Sequence, residues 1–169
     1  AVLADAVRAC DAVIVSGGSS VGALAGVPGA IASLGEPGVI VHGLRVRPGK
    51  PTVLGAIGTK PVIGLPGNPG SALMIFEAVV RPIVALLTGA RAERAALTHA
   101  VAEEPFVGRA GWTHFIPAVL RYDGSRVWGR PLPLRSSHVS MLARASGFVV
   151  LGEDERFESG TPIVVHAFT

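Results

Sequence analysis

With a single cysteine, Cys10, the 169-residue chain can form no internal disulfide, and such cysteine usage points to a reducing compartment. Charge is also scarce: Asp, Glu, Lys and Arg make up 16% of the residues, against about 25% in an average soluble domain. Aromatic residues are only 5%. The 15 basic and 12 acidic residues leave a net charge of +3. Nucleic-acid binders gather cations on one face and interleave them with aromatics. Here the cations are scattered, which argues against a nucleic-acid partner. Uninterrupted apolar runs are missing as well. The best, Ala72 to Leu87, is broken by Glu77 and Arg81, short of the ~18 residues a membrane span needs. The opening AVLADAVRAC has neither a cationic start nor an uninterrupted apolar stretch, so it does not read as a secretory signal. These absences predict a cytoplasmic protein with no membrane partner. At 49% hydrophobic, the chain also lacks the composition of a disordered one.

What the chain has in abundance is punctuation: 22 glycines and 13 prolines, set between apolar runs rather than in a repeat. Asp11 to Ser16 (DAVIVS) reads as a buried strand entering a glycine cluster. Strands are predicted at Val39–Val46, Thr52–Ile57 and Pro61–Leu65, with a helix over Val27–Leu34. The clearest helix is Pro69–Thr88. Asn68 can cap it, Pro69 suits its first position, and Gly89 suits its end. Leu73, Phe76, Val80, Ile83, Val84 and Leu87 form its apolar face, and Pro82 predicts a kink or a break. From residue 93 onwards the pattern changes. Strands at Leu97–Glu103, Trp112–Tyr122, Arg126–Pro131, Gly147–Leu151 and Thr161–Phe168 surround one short helix, Ser137–Ala145. Asp123-Gly124 marks a hairpin turn. An α/β domain over 1–92 and a small all-β, barrel-like domain over 93–169 follow from this change.

Three segments suit the binding of an anion. SGGSSVG (Ser16–Gly22) follows a strand directly, and glycines there let backbone N–H groups approach a phosphate. It is not a Walker loop, because Ala23 and Leu24 stand where Lys and Ser/Thr would hold phosphate and metal. The same residues fit a nucleophile elbow at Ser20, with Asp123 or Asp154 and His138 or His166 as partners. A plain tight turn fits them too. RVRPGKP (Arg45–Pro51) presents Arg47 and Lys50 on a loop stiffened by two prolines, either for an anion or as solvated cations. GLPGNPGS (Gly64–Ser71) leads into the long helix, whose free N–H groups favour an oxyanion. Ordinary capping explains that segment equally well. The five histidines have no metal-ligand spacing. The acidic run Glu153–Glu158 reads as a solvated turn, and Trp112 and Trp128 read as core.

In this order and spacing, SGGSSVG, VHGLRVRPGKP and PVIGLPGNPGSALMIFEAVVRP resemble the molybdopterin molybdenumtransferase family, which includes the E domain of gephyrin. GRPLPLRSSHVSMLARASGFVVL resembles the C-terminal β domain of that family. The resemblance implies a partial, doubly wound, MogA-like molybdopterin-binding domain before the β domain. It also implies insertion of molybdate into adenylylated molybdopterin, with release of AMP and help from Mg²⁺. Gly17, Gly18, Ser19, Ser20 and Gly22 would approach the pterin phosphate or dithiolene. Arg47 and Lys50 would hold molybdate or phosphate as the catalytic cations. Pro66, Gly67, Asn68, Pro69 and Ser71 would form the wall beside the helix. The family's acidic residue after SVG is absent, since no Asp or Glu lies between Asp11 and Glu36. The family's earlier strands and domains are also absent, which predicts a fragment that associates as a homodimer or with further domains. A non-catalytic molybdopterin-binding or scaffold module is the alternative, followed by a serine hydrolase using Ser20.

Overall fold

The apolar runs of the first half pack as one mixed layer. A computed structural model describes residues 2–18, 26–90, 96–133 and 142–168. It divides into two units, Ala1–Leu44 with Gly49–Ala92, and Arg45–Pro48 with Glu93–Thr169. The first unit runs α1 (Val2–Ala9), β1 (Val13–Ser16), α2 (Gly26–Ala32) and β2 (Pro37–His42). The next strand, β3 (Val46–Arg47), belongs to the second unit. The chain then returns as β4 (Val53–Ile57), β5 (Lys60–Leu65), α3 (Pro69–Ile75), a π-helical segment (Phe76–Val80) and α4 (Arg81–Leu87).

The expected strand Val39–Val46 is therefore two strands in two units. Gly43, at φ 92°, turns the chain out of the first sheet, a conformation open to glycine and strained for other residues. Sheet order is β1-β5-β4-β2. Only β1 and β5 are parallel, in register from Val13↔Val62 to Ser16↔Leu65. β4 runs antiparallel to both neighbours, because a two-residue Gly58-Thr59 turn leaves no room for a crossover helix. Val7 of α1 and Val27 and Ile31 of α2 bury one face of this sheet against Val53 and Val62.

Asn68 caps α3 by accepting the Gly70 amide at 3.2 Å, and Pro69 opens the helix. Pro82 does not break the helix. Instead the turn before it widens, and the Arg81 amide donates to Phe76 O. The missing Pro82 N–H is thereby absorbed in a wider, i→i+5 turn. Glu77 is buried there and pairs with Arg81 at 3.1 Å. One sequence expectation needs correcting. Pro69–Leu87 is a continuous 19-residue helical run, long and apolar enough to cross a membrane by length and composition. Its two charges sit one turn apart and pair, so they interrupt the apolar character less than their count suggests.

The second unit contains β6 (Leu97–Ala102), β7 (Phe106–Val107), β8 (Thr113–Tyr122), β9 (Val127–Pro131), β10 (Gly147–Leu151), β11 (Arg156–Phe157) and β12 (Pro162–Ala167). The order β10-β12-β6-β9-β8 closes through a β10–β8 pairing, giving a five-stranded barrel with no free edge in that circuit. β3 adds to β8 in parallel, and β7 with β11 forms a separate ribbon. Phe106, Val149, Leu151, Ile163 and Val165 fill the barrel, with Ala100, Ala102 and Ala118 where strands come close. Trp112 and Trp128 stand outside this core, each half-buried under an arginine. Their indole N–H and large flat faces suit a boundary better than a small barrel interior. The β8–β9 turn has four residues, from Asp123 to Arg126. Most of the expected helix Ser137–Ala145 lies outside the described residues.

Candidate functional site

The three anion-suited segments belong to loops whose positions follow from strand direction. β1 and β5 are parallel, so the segments after Ser16 and after Leu65 leave the same end of the sheet. β4 is antiparallel to β5, with Val53 opposite Gly64, so the turn preceding β4 lies at that end too. Ligands of α/β sheets bind where such loops gather.

The first and third loops touch. The Gly17 amide donates to Leu65 O at 3.2 Å, and a Cβ on Gly67 would lie 3.5 Å from Gly17 Cα. Gly17 and Gly18 have φ of 86° and 66°, so this turn needs glycine to leave β1 without strain. The Gly18 carbonyl in turn accepts the Val27 amide at 3.3 Å, which ties the loop to α2. Ser19, Ser20 and Gly22 lie outside the described residues. Pro66 is buried, Gly67 and Pro69 are exposed, and Asn68 is half-buried. The side chain that caps the helix is that of Asn68, while Ser71 is buried in the first turn.

The second loop divides between the units. Gly49 and Lys50 stay with the first. The Leu44 amide donates to Lys50 O at 2.9 Å, and Thr52, fully buried, donates from both its amide and its hydroxyl to Gly49 O. These bonds fix the loop backbone and leave Lys50 exposed at the sheet end. Arg47 goes with the second unit. Val46 and Arg47 pair with Thr113 and His114, and the Arg47 guanidinium lies 4.8 Å over the Trp112 ring. A two-residue strand between Gly43 and a proline gives almost no sequence signal, so this assignment was not legible beforehand.

Around Arg47 the second unit is densely bonded. Arg45 donates to Gly111 O at 2.9 Å and lies 3.5 Å from Glu153. Asp154, at φ 63°, accepts the Gly111 amide, and His114 Nε2 accepts the Arg109 amide at 2.8 Å. Burial, aided by the Arg47 charge, holds the His114 imidazole below its usual range. The acidic run is thus a clamp as well as a turn: Glu155 accepts the Gly152 amide, and Glu158 pairs with Arg156. Elsewhere in this unit a cleft of about 570 Å³, bordered by His99, Tyr122 and Arg126, contains none of the residues of the three anion-suited segments. Among the described residues no group of three His, Cys, Asp or Glu could hold a metal.

Comparison with known proteins matches the two units separately. A family model described as "Probable molybdopterin binding domain" covers residues 1–86, and one described as "MoeA C-terminal region (domain IV)" covers 99–168. A Bacillus subtilis protein named molybdopterin molybdenumtransferase is 29% identical over 167 residues, covering 98% of this chain and 39% of its own length. Molybdopterin molybdenumtransferase 2 of Mycobacterium tuberculosis is 34% identical over 154 residues, covering 85% of this chain and 36% of its own length. The chain therefore spans well under half of these relatives. A crystal structure of the molybdopterin biosynthesis MoeA protein of Pyrococcus horikosii superposes with a TM-score of 0.78 at 32% identity, over 99% of this chain and 39% of that one. A molybdenum cofactor biosynthesis protein of Pyrococcus furiosus shares the fold, at a TM-score of 0.76 and 23% identity over 98% of this chain and 52% of that one. With both units matched in chain order, the chain belongs to the molybdopterin molybdenumtransferase family.

Proposed function

We propose that this chain acts in molybdenum cofactor biosynthesis, binding adenylylated molybdopterin as substrate so that molybdate enters its dithiolene and AMP is released. The observation that carries this reading is the gathering of three loops at one end of the first sheet, two of them in contact at Gly17 and Gly67. Gly17 shapes the turn, its own amide being bonded to Leu65 O, while Gly18, Ser19, Ser20 and Gly22 are the residues that would bring backbone N–H groups to the phosphate or dithiolene. Lys50 supplies a point charge for phosphate or molybdate. Pro66, Gly67, Asn68, Pro69 and Ser71 form the wall at the start of α3, where rigid backbone loses little entropy on binding. Arg47, whose guanidinium lies over the Trp112 ring, is the second cation of this reading.

Mg²⁺ is the group that fits least well. It takes hard oxygen ligands, normally including carboxylates. The segments Gly17–Ala25, Gly43–Thr52 and Pro66–Ser71 contain no Asp or Glu. The same lack favours a second reading, in which the chain binds molybdopterin without turning it over. A homodimer, or association with further domains, is part of the proposal in both cases.

Anaerobic equilibrium binding of adenylylated molybdopterin, followed by molybdate addition and AMP detection, tests these readings. Saturable binding that weakens roughly ten- to hundredfold in Lys50→Ala is expected, the worth of one hydrogen bond to a charged group. Binding without AMP release points to the non-catalytic reading, and a folded parent chain that does not bind overturns both. Labelling of Ser20 by a fluorophosphonate would instead revive a hydrolase.

A further inference from the structure

We propose that Trp112 is the positioning residue for Arg47; this rests on the reading of Arg47 as an anion ligand. Two arginines, Arg45 just before β3 and Arg47 within it, have opposite fates. Arg45 is consumed within the second unit, its guanidinium shared between Gly111 O and Glu153. Arg47 makes no ion pair among the described residues, and its guanidinium lies 4.8 Å over the Trp112 ring. A carboxylate in that position would fix the side chain but neutralise it. An indole face fixes it by attraction to the ring quadrupole and leaves the charge for an incoming anion.

The ring can act this way because its own loop is held. From Gly108 to Trp112 the backbone is bonded at three points: the Arg109 amide to His114 Nε2 at 2.8 Å, the Gly111 amide to Asp154 at 3.2 Å, and Gly111 O to Arg45 at 2.9 Å. Packing is tight at the loop start, where a Cβ on Gly108 would meet His114 Cδ2 at 2.8 Å. His114 is also the partner of Arg47 in the β3–β8 register. Ring and guanidinium therefore hang from adjacent, paired pieces of backbone. A long side chain that would otherwise sample many rotamers is held in few, and that preorganisation raises affinity without adding a contact to the ligand.

A double-mutant cycle on the full chain tests this, reading equilibrium binding of adenylylated molybdopterin and tryptophan emission. Arg47→Met should shift the emission of Trp112, since the other tryptophan, Trp128, lies under Arg121 instead. Trp112→Leu should weaken binding about two- to fivefold, the worth of an exposed cation–π contact, and Trp112→Phe should recover part of that loss. Arg47→Ala combined with Trp112→Leu should bind no worse than Arg47→Ala alone. Additive losses, or parental binding in Trp112→Leu, overturn the positioning role. Should Trp112→Leu fail to fold by far-UV dichroism, Trp112→Met, which also removes the ring, carries the same cycle. Parental binding in Arg47→Ala overturns the reading of Arg47 itself, while an emission shift in Arg47→Met would still report the contact. Absence of binding by the folded parent overturns both.

Discussion

Around the loops of the first unit the backbone is framed by glycine and proline, with Lys50 exposed beside it. Around β3 in the second unit they are side chains, with Arg45, Glu153, Asp154 and His114 all bonded to the Gly108–Trp112 loop or to one another. The first arrangement holds itself mainly through backbone bonds, such as Gly17 N–H to Leu65 O and Leu44 N–H to Lys50 O, and uses few charges. The second spends its charges on internal bonds and leaves Arg47 on an aromatic face. Low charge content means different things in the two cases: loops held by backbone bonds in one, a nearly closed set of side-chain pairs in the other. Perturbing each unit separately tests whether this division is physical.

The largest effect should come from closing the gap between β10 and β12. A Cβ on Gly147 would lie 2.2 Å from His166 O and 2.9 Å from His166 C, both backbone atoms of the paired strand. Backbone cannot swing aside as a side chain would, so Gly147→Ala should cost about 3 kcal/mol or more, at or beyond the upper end for overpacking. Both tryptophans lie in the second unit, so their emission should report this loss in denaturant unfolding. The matching change in the first unit is Gly55→Ala, where the new Cβ meets Gly38 O at 2.7 Å and Ile31 Cγ2 at 2.9 Å. It should shift the far-UV transition and leave the tryptophan transition near its parental midpoint. If either change moves both signals equally, the units unfold together.

Next in size is the ion pair in the long helix. The Glu77 side chain is 5% exposed and that of Arg81 27%. Arg81→Met should cost roughly 2–3 kcal/mol, at or just below the range for stranding a buried charge, because Arg81 remains partly hydrated. Glu77→Met with Arg81→Met should recover most of that loss. Urea midpoints for the two variants check the order. A double variant as unstable as the single would mean that the wide turn before Pro82, and not the pair, governs this stretch.

How legible these regions were in the sequence differs for the same reason. The capped helix, the hairpin strands β4 and β5, and the five barrel strands announce themselves through periodicity and turn residues, which are local. So do the three loops, because glycine and proline act on their own backbone. The membership of Val46–Arg47 was not legible, since a two-residue strand is defined by its partner at Thr113–His114 and not by its own composition. The role of Glu153–Glu158 was hidden likewise. A run of acids on a turn reads as solvated until Gly111, Arg45 and Gly152 are seen opposite it. The wider turn at Phe76–Val80 lay between these extremes: Pro82 signalled a disturbance, but the chain resolved it by changing hydrogen-bond spacing.

The smallest effect separates the units by pH. Burial lowers the pKa of both His114 and His166, and both belong to the second unit. A histidine that is harder to protonate when folded binds fewer protons in the native state than in the unfolded one. Stability from such a group is complete above the ordinary imidazole value of 6.5 and is lost progressively as pH falls from there through the lower folded-state value. Protonation would also cost His114 the lone pair that accepts the Arg109 amide, and it would place a charge on the His166 ring stacked 5.2 Å from Phe148. The tryptophan-detected melting temperature should therefore drop between pH 7.5 and 5.5. His166→Phe should flatten part of that slope by keeping a stacked ring that cannot titrate. Asp123 acts in the same direction at lower pH. The Trp128 indole N–H and the amides of Arg126 and Ser125 bond its carboxylate and hold it well below the usual range, so its contribution disappears only in stronger acid. A slope unchanged in His166→Phe would assign the acid sensitivity to His114, and with it to the loop that carries Trp112.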